Sequence, residues 1–277
     1  MKKLLVIAGA LAVAVLAAPA FMAFEAHVVN VTATIENALQ VRQNSIEFGT
    51  VFPQGHLNQP LNIALSQYFL DEDRVDDVEY FIRQKPKCGI TSQLGTVLDH
   101  QNTATGHVNV DPKTGVVTID CGPTPRILGE GESWGVLPSL CEYISKEGPD
   151  ANDSDTASFH EPWQVVSDNN GTPTDTTDDF YKVVWLDTLG RLAKSDLDSE
   201  DQDPRDTTDN WIIDLAVPCF GGYCAQDWAT FVHGINPQAD PAAYTQDILD
   251  EHKVFGCDLW VEVSEVSEAG ESPTGGL

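Results

Sequence analysis

Apolar and polar positions alternate with a period of two over short stretches, separated by connectors rich in Gly, Pro, Asp and Asn. His27–Ile35 sets Val29, Val31, Ala33 and Ile35 on one face and Asn30, Thr32 and Thr34 on the other. Strands are also expected over Ile46–Phe52, where Gly49 suits a bulge and Pro53 a stop, over Leu61–Leu65 and over Val78–Ile82. His107–Val110 and Val116–Asp120 flank Asp111-Pro-Lys-Thr-Gly115, which has the chemistry of a hairpin connector. Phe180–Leu186, Trp211–Val217 and Cys257–Val263 complete the set, the last alternating Leu259, Val261 and Val263 against Trp260 and Glu262. Helical signal is confined to Leu137–Ser145 and Ala242–Lys253, two or three turns each. There is no repeating strand–helix rhythm. The pattern predicts an all-β fold, an antiparallel β-sandwich of jelly-roll or immunoglobulin-like type.

Residues 150–209 hold sixteen acidic and four basic side chains, with few apolar groups besides Phe159, Trp163, Val165, Val166 and Phe180–Leu186. They read as a long acidic loop insertion, at about 146–209, in one domain spanning 24–267. Residues 268–277 read as a flexible tail.

The first 23 residues read as a secretory signal peptide. Lys2 and Lys3 precede an apolar run from Leu4 to Leu16, and Ala18-Pro19-Ala20 supplies a small-x-small site. Cleavage after Ala23 or Ala26 stays open, as does an uncleaved anchor over Leu4–Phe24. The expected location is secreted, extracellular or at the cell surface, with no membrane contact after cleavage. Cys88, Cys121, Cys141, Cys219, Cys224 and Cys257 then read as disulfide partners. Of the pairings open to them, Cys219–Cys224 is the local one, with Gly221 and Gly222 letting the loop turn back. Zinc is set aside because no CxxC pair occurs and the histidines do not cluster near the cysteines.

Hydrophobic residues, 42% of the chain, are enough to build a core, and a net charge of −28 excludes nucleic acid and anionic membrane surfaces as electrostatic partners.

The stretches AHVVNVTATIENAL, SIEFGTVFPQ, PLNIALSQYF and VDDVEYFIRQKPKC run from Ala26 to Cys88, and GCDLWVEVSEVS closes the chain. A strand after an export signal, followed by an I-x-F-G-x-V-x-P turn and another alternating strand, resembles secreted β-sandwich proteins of the camelysin/TasA biofilm-matrix type. The F-G-x-V-x-P turn is also similar to immunoglobulin-like modules of surface proteins. Phe24-Glu-Ala-His27 departs from the short Phe/Asp/Thr-rich motif of the camelysin/TasA type, and six cysteines are more than its members usually carry. The resemblance implies a subunit of extracellular fibres or matrix that self-associates or joins other surface proteins. Its assembly strand would be Val28, Val29, Val31, Ala33 and Ile35, adding to a neighbour's sheet by main-chain hydrogen bonds.

Two chemical candidates stand beside this. Gly131-Glu-Ser133-Trp-Gly135 fits G-x-S-x-G, with Asp201 or Asp209 and His233 or His252 downstream in the order of a serine hydrolase triad. The segment before it is not the buried strand that such a nucleophile needs. His160-Glu161 does not extend to HExxH, which excludes a zincin protease. Asp168, Asn170, Asp175, Asp178 and Asp179 space oxygen ligands as calcium loops do, although Pro173 stands where a helix-flanked loop needs Gly. Asp196–Asp203 is a second, looser acidic run. Calcium is the cofactor these residues suggest, and a calcium-dependent adhesin or lectin is a further function class. The six tryptophans suit sugar stacking, but they are scattered along the chain.

Overall fold

The longest strand, β3 (Val75–Ser92), buries Tyr80, Ile82, Gln84, Pro86 and Cys88 on one face while Phe81, Arg83, Lys85 and Lys87 lie on the other. In the computed structural model, which describes residues 36–92, 97–149, 152–168, 180–194 and 205–268, this strand organises a five-stranded antiparallel sheet. It pairs with β11 (Thr188–Ala193) on one side and β15 (Cys257–Glu268) on the other. Towards its C-terminal end it pairs with β7 (Glu132–Val136) and β4 (Val97–Thr105). Pro86 stands at the junction. Its carbonyl accepts from the Gly106 N–H at 2.7 Å, so its missing N–H lies on that same side, beyond the Thr188–Ile82 pair where the β11 ladder ends.

A second sheet has the order β1 (Leu39–Val41), β2 (His56–Leu65), β12 (Thr208–Ala216), β8 (Ile144–Glu147), all antiparallel. Alternation in β12 buries Asp209, Trp211, Ile213 and Leu215. These pack with Leu61, Ile63 and Leu65 of β2 and with Val78, Tyr80 and Ile82 of β3 in one hydrophobic cluster, so the two sheets share a core. Polar contacts cross it as well. Trp211 Nε1 donates to the Tyr80 hydroxyl at 2.7 Å, and that hydroxyl donates to Asp209. The chain is mainly β, with no closed barrel among the described residues.

Smaller pieces complete it. The hairpin of β5 (His107–Val110) and β6 (Val117–Asp120) turns at Asp111, whose Oδ1 accepts from the N–H groups of Lys113 and Thr114 at 2.8 and 2.9 Å. β9 (Trp163–Asp168) pairs with β10 (Phe180–Trp185). β13 (Cys219–Phe220) pairs in parallel with β14 (Thr245–Gln246). The helices are short, Gln67–Asp71 and Trp228–Ile235, and no helix of the described residues is long and apolar enough to cross a membrane.

Three expectations need correction. Leu137–Ser145 is not a helix: a single 3-10 turn at Cys141–Tyr143 passes directly into β8. Ala242–Lys253 is not one either, because Thr245 and Gln246 are drawn into the β13 ladder and Asp247 caps a separate 3-10 turn. Ile46–Phe52 makes no ladder. Gly49 there takes φ +71, and Ile46, Phe48 and Val51 pack on the core from irregular backbone.

The described part of the acidic stretch at 146–209 is built into the fold rather than looped over it. It supplies β9, β10, β11 and the buried Lys146, Phe159 and Leu192. Phe159 meets Tyr143, Trp228, Phe231 and Tyr244 edge to face, with ring centres 5.5 to 6.0 Å apart. Its backbone takes φ +64, rare for a bulky residue, and is held by the Asn236 amide donating to its carbonyl at 3.0 Å.

The six cysteines form Cys88–Cys121, Cys141–Cys257 and Cys219–Cys224. Three such bonds belong to an oxidising compartment.

Candidate interaction surface

β15 pairs with β3 along one side, and among the described residues no strand pairs with its other side. Five consecutive residues, Cys257 to Val261, line a cavity of about 360 Å³. Successive strand residues point to opposite faces, so only the strand's edge presents all five to one space. The facing wall is the segment after β1, including Ile46 and Phe48. That wall is anchored by Gln43, whose Oε1 accepts from the Asn62 N–H at 2.8 Å. The cavity runs along β15 and reaches inward to the core residues Leu61, Ile144 and Ile213 of the second sheet. From Cys257 to Val263 the β15 ladder is regular; bulges follow between Val263 and Glu265 and between Val266 and Glu268. These bulges carry Val263 and Val266 outward, 45% and 41% exposed, and turn Ser267 inward to accept from the Asp77 N–H.

Beside this edge, the outer face of β3 and β15 carries an ordered charge array. Arg83 forks onto Asp187 at 2.9 and 2.7 Å and reaches Glu262 at 2.9 Å. Lys85 pairs with Glu262 at 3.0 Å, and Lys87 with Asp258 at 2.6 Å. Two tryptophans frame the array: Lys85 Nζ lies 3.4 Å from the centre of the Trp260 ring and 5.9 Å from that of Trp185.

Ser133 is the second residue of β7, paired with Thr91 of β3, with 3.2 Å between the two hydroxyls. It is a ladder residue and not the apex of a strand-to-helix turn. Of its candidate partners, Asp209 is buried against Tyr80, while His233 belongs to helix Trp228–Ile235 and His252 to a loop. Asp168 ends β9 and pairs with Lys182 at 2.6 Å. Asn170, Asp175, Asp178 and Asp179, the run Asp196–Asp203, the signal peptide and the strand Val28–Ile35 lie outside the described residues. Among the described residues no three His, Cys, Asp or Glu side chains are grouped as a metal site.

A buried polar group escaped the sequence reading. Lys146 and Gln84 are both fully buried, and Lys146 Nζ donates to Gln84 Oε1 at 2.8 Å. The Gln84 amide nitrogen donates in turn to the Cys141 and Ile144 carbonyls at 2.8 and 3.3 Å. Burial lowers Lys146 to about 7. His160 falls to about 4, through burial first and the nearby Lys146 charge second, and burial raises Glu142. One signal was available: Lys146 has the parity of Ile144 on a short strand.

Comparison with protein-family models, with curated proteins and with solved structures finds no match to this chain.

Proposed function

We propose that this protein is an exported structural protein of the cell surface or extracellular matrix, built on a β-sandwich, that assembles by strand addition at the outer edge of β15. The observation that carries this reading is the regular edge Cys257–Val263, without a partner among the described residues and bordered by a cavity. An edge of this kind is a template for another strand unless it is blocked, and here the bulges interrupt only its C-terminal part. The donor is Val28–Ile35 of a second copy. It is close in length to the regular edge, and the face formed by Val29, Val31, Ala33 and Ile35 suits a groove whose far wall holds Ile46 and Phe48. Main-chain hydrogen bonds supply the affinity and the alternating side chains set the register. The likeness of Ala26–Cys88 to the camelysin/TasA type agrees with this assignment.

Size-exclusion chromatography with light scattering on the mature chain tests it. The expected result is concentration-dependent oligomers or polymers that revert to monomer when residues 24–36 are deleted. A monomer at all concentrations, or assembly unaffected by the deletion, overturns the proposal. Ser133→Ala is expected to assemble as the parent does. Loss of an esterase activity in that variant would instead favour a secreted hydrolase.

A further inference from the structure

We propose that the outer face of β3 and β15, between Trp185 and Trp260, binds a neutral glycan chain. The two tryptophans come from distant parts of the sequence and are brought to one site by the pairing of β15 with β3 and by the placement of the β9–β10 hairpin. Each indole has a cation over its ring, Arg83 at 5.2 Å for Trp185 and Lys85 at 3.4 Å for Trp260. Trp260 is nevertheless 37% exposed. With an ammonium against one face, its open surface is the other face and the ring edge. Its indole N–H is held by Thr105 Oγ1 at 3.3 Å, which fixes the ring plane. A fixed aromatic plane open to solvent takes the apolar C–H face of a sugar ring at little cost in side-chain order.

The charges choose among glycans. Arg83, Lys85 and Lys87 are matched by Asp187, Glu262 and Asp258, so the face is balanced on a chain of net charge −28. An anionic polymer finds no unpaired cation in the array, and a cationic one finds no surplus carboxylate. The carboxylates nevertheless keep acceptor sites for hydroxyl groups, because each oxygen accepts more than one hydrogen bond. Arg83 and Lys85 are only 21% and 14% exposed, so the array is preorganised. Two aromatic platforms, balanced charge and fixed acceptors describe a site for an uncharged, hydroxyl-rich chain.

Affinity electrophoresis of the full mature chain through gels holding neutral glycans (β-glucan, mannan, soluble chitosaccharide) or anionic ones (alginate, hyaluronan) is the test. The expected result is retardation by at least one neutral glycan, insensitive to added salt and weakened roughly tenfold by Trp185→Ala and by Trp260→Ala. Trp260→Tyr, which keeps a ring, is expected to restore part of the binding and guards against an unfolded alanine variant. Trp185 does not line the edge cavity, so Trp185→Ala separates glycan binding from assembly. No retardation by any neutral glycan, retention unaffected by both alanine variants, or salt-sensitive retention by anionic glycans alone overturns the proposal.

Discussion

Lys146 of β8 donates to Gln84 of β3 at 2.8 Å across the interior, joining the two sheets through a contact from which solvent is excluded. No carboxylate hydrogen-bonds to the ammonium among the described contacts; Asp187 acts on it only through space. A cation in such a site is costly unless it gives up its proton, and a neutral amine satisfied by one amide oxygen is the cheaper state. The same contact fixes register. A slip by one residue in either strand would send Lys146 or Gln84 to the opposite face.

The pH dependence of stability follows from this pair. Lysine in an unfolded chain titrates near about 10.4, whereas burial holds Lys146 at about 7. Between these values the unfolded chain binds the proton and the folded chain does not, so the contribution of Lys146 to stability rises with pH across that window. Below about 7 the folded chain carries the buried charge and its full penalty, several kcal/mol. Lys146→Met removes the charge but leaves Gln84 Oε1 without its donor, at a cost of about 1–3 kcal/mol. The variant is therefore expected to be more stable than the parent near pH ~6 and to lose that advantage, or fall below the parent, near pH ~10. Urea unfolding of both chains at the two pH values measures it. A constant difference between them would remove the buried ammonium from the account.

Tyr80 makes a second cross-core prediction. Its hydroxyl joins Asp209 and Trp211, and its ring lies over Gly190 of β11. A Cβ at Gly190 would overlap that ring, which is fully buried and tied at its far end. Gly190→Ala is expected to lose on the order of 3 kcal/mol, like other overpacked core positions. Tyr80→Phe keeps the packing and is expected to lose about 1–3 kcal/mol through the Asp209 oxygen and Trp211 N–H left behind. Thermal melts of both variants test this. A Gly190→Ala variant as stable as the parent would show that the ring moves freely.

Local chemistry explains what was readable in advance. The Asp111–Gly115 turn needs only its own residues, an Asp side chain to accept two N–H groups and a Gly at φ +70. β12 and the start of β15 follow from their alternation, until a bulge in β15 breaks the parity. The full length of β3 was hidden because Asp76, Asp77 and Glu79 look like loop residues. They are buried in the strand, with Arg191 of β11 reaching Asp77 at 3.3 Å. Helix Trp228–Ile235 was missed for a similar reason: β-branched Thr230, Val232 and Ile235 and the late Gly234 are poor helix formers. Packing of Trp228 and Phe231 on Phe159 stabilises it instead. The Trp185–Lys85–Trp260 array depends on long-range pairing that no local pattern reports.

Disulfide removal should follow loop length. Cys141–Cys257 closes a separation of 116 residues and fastens the first residue of β15 beside the edge cavity. Cys88–Cys121 closes 33, and Cys219–Cys224 closes 5. Loop entropy of the unfolded chain then gives losses of about 5, 4 and 2 kcal/mol for the paired Cys→Ser variants, in that order. Cys141 and Cys219 are both 1% exposed, so burial does not distinguish the longest bridge from the shortest and loop length sets their rank. Guanidinium unfolding of the three double variants provides the measurement. The Cys141–Cys257 variant carries a second expectation, because loosening the start of β15 disturbs the edge on which assembly is proposed to occur. It should lose oligomers at protein concentrations where the Cys219–Cys224 variant keeps them. Equal assembly by both variants, with the stability order intact, would locate the assembling surface elsewhere on the molecule.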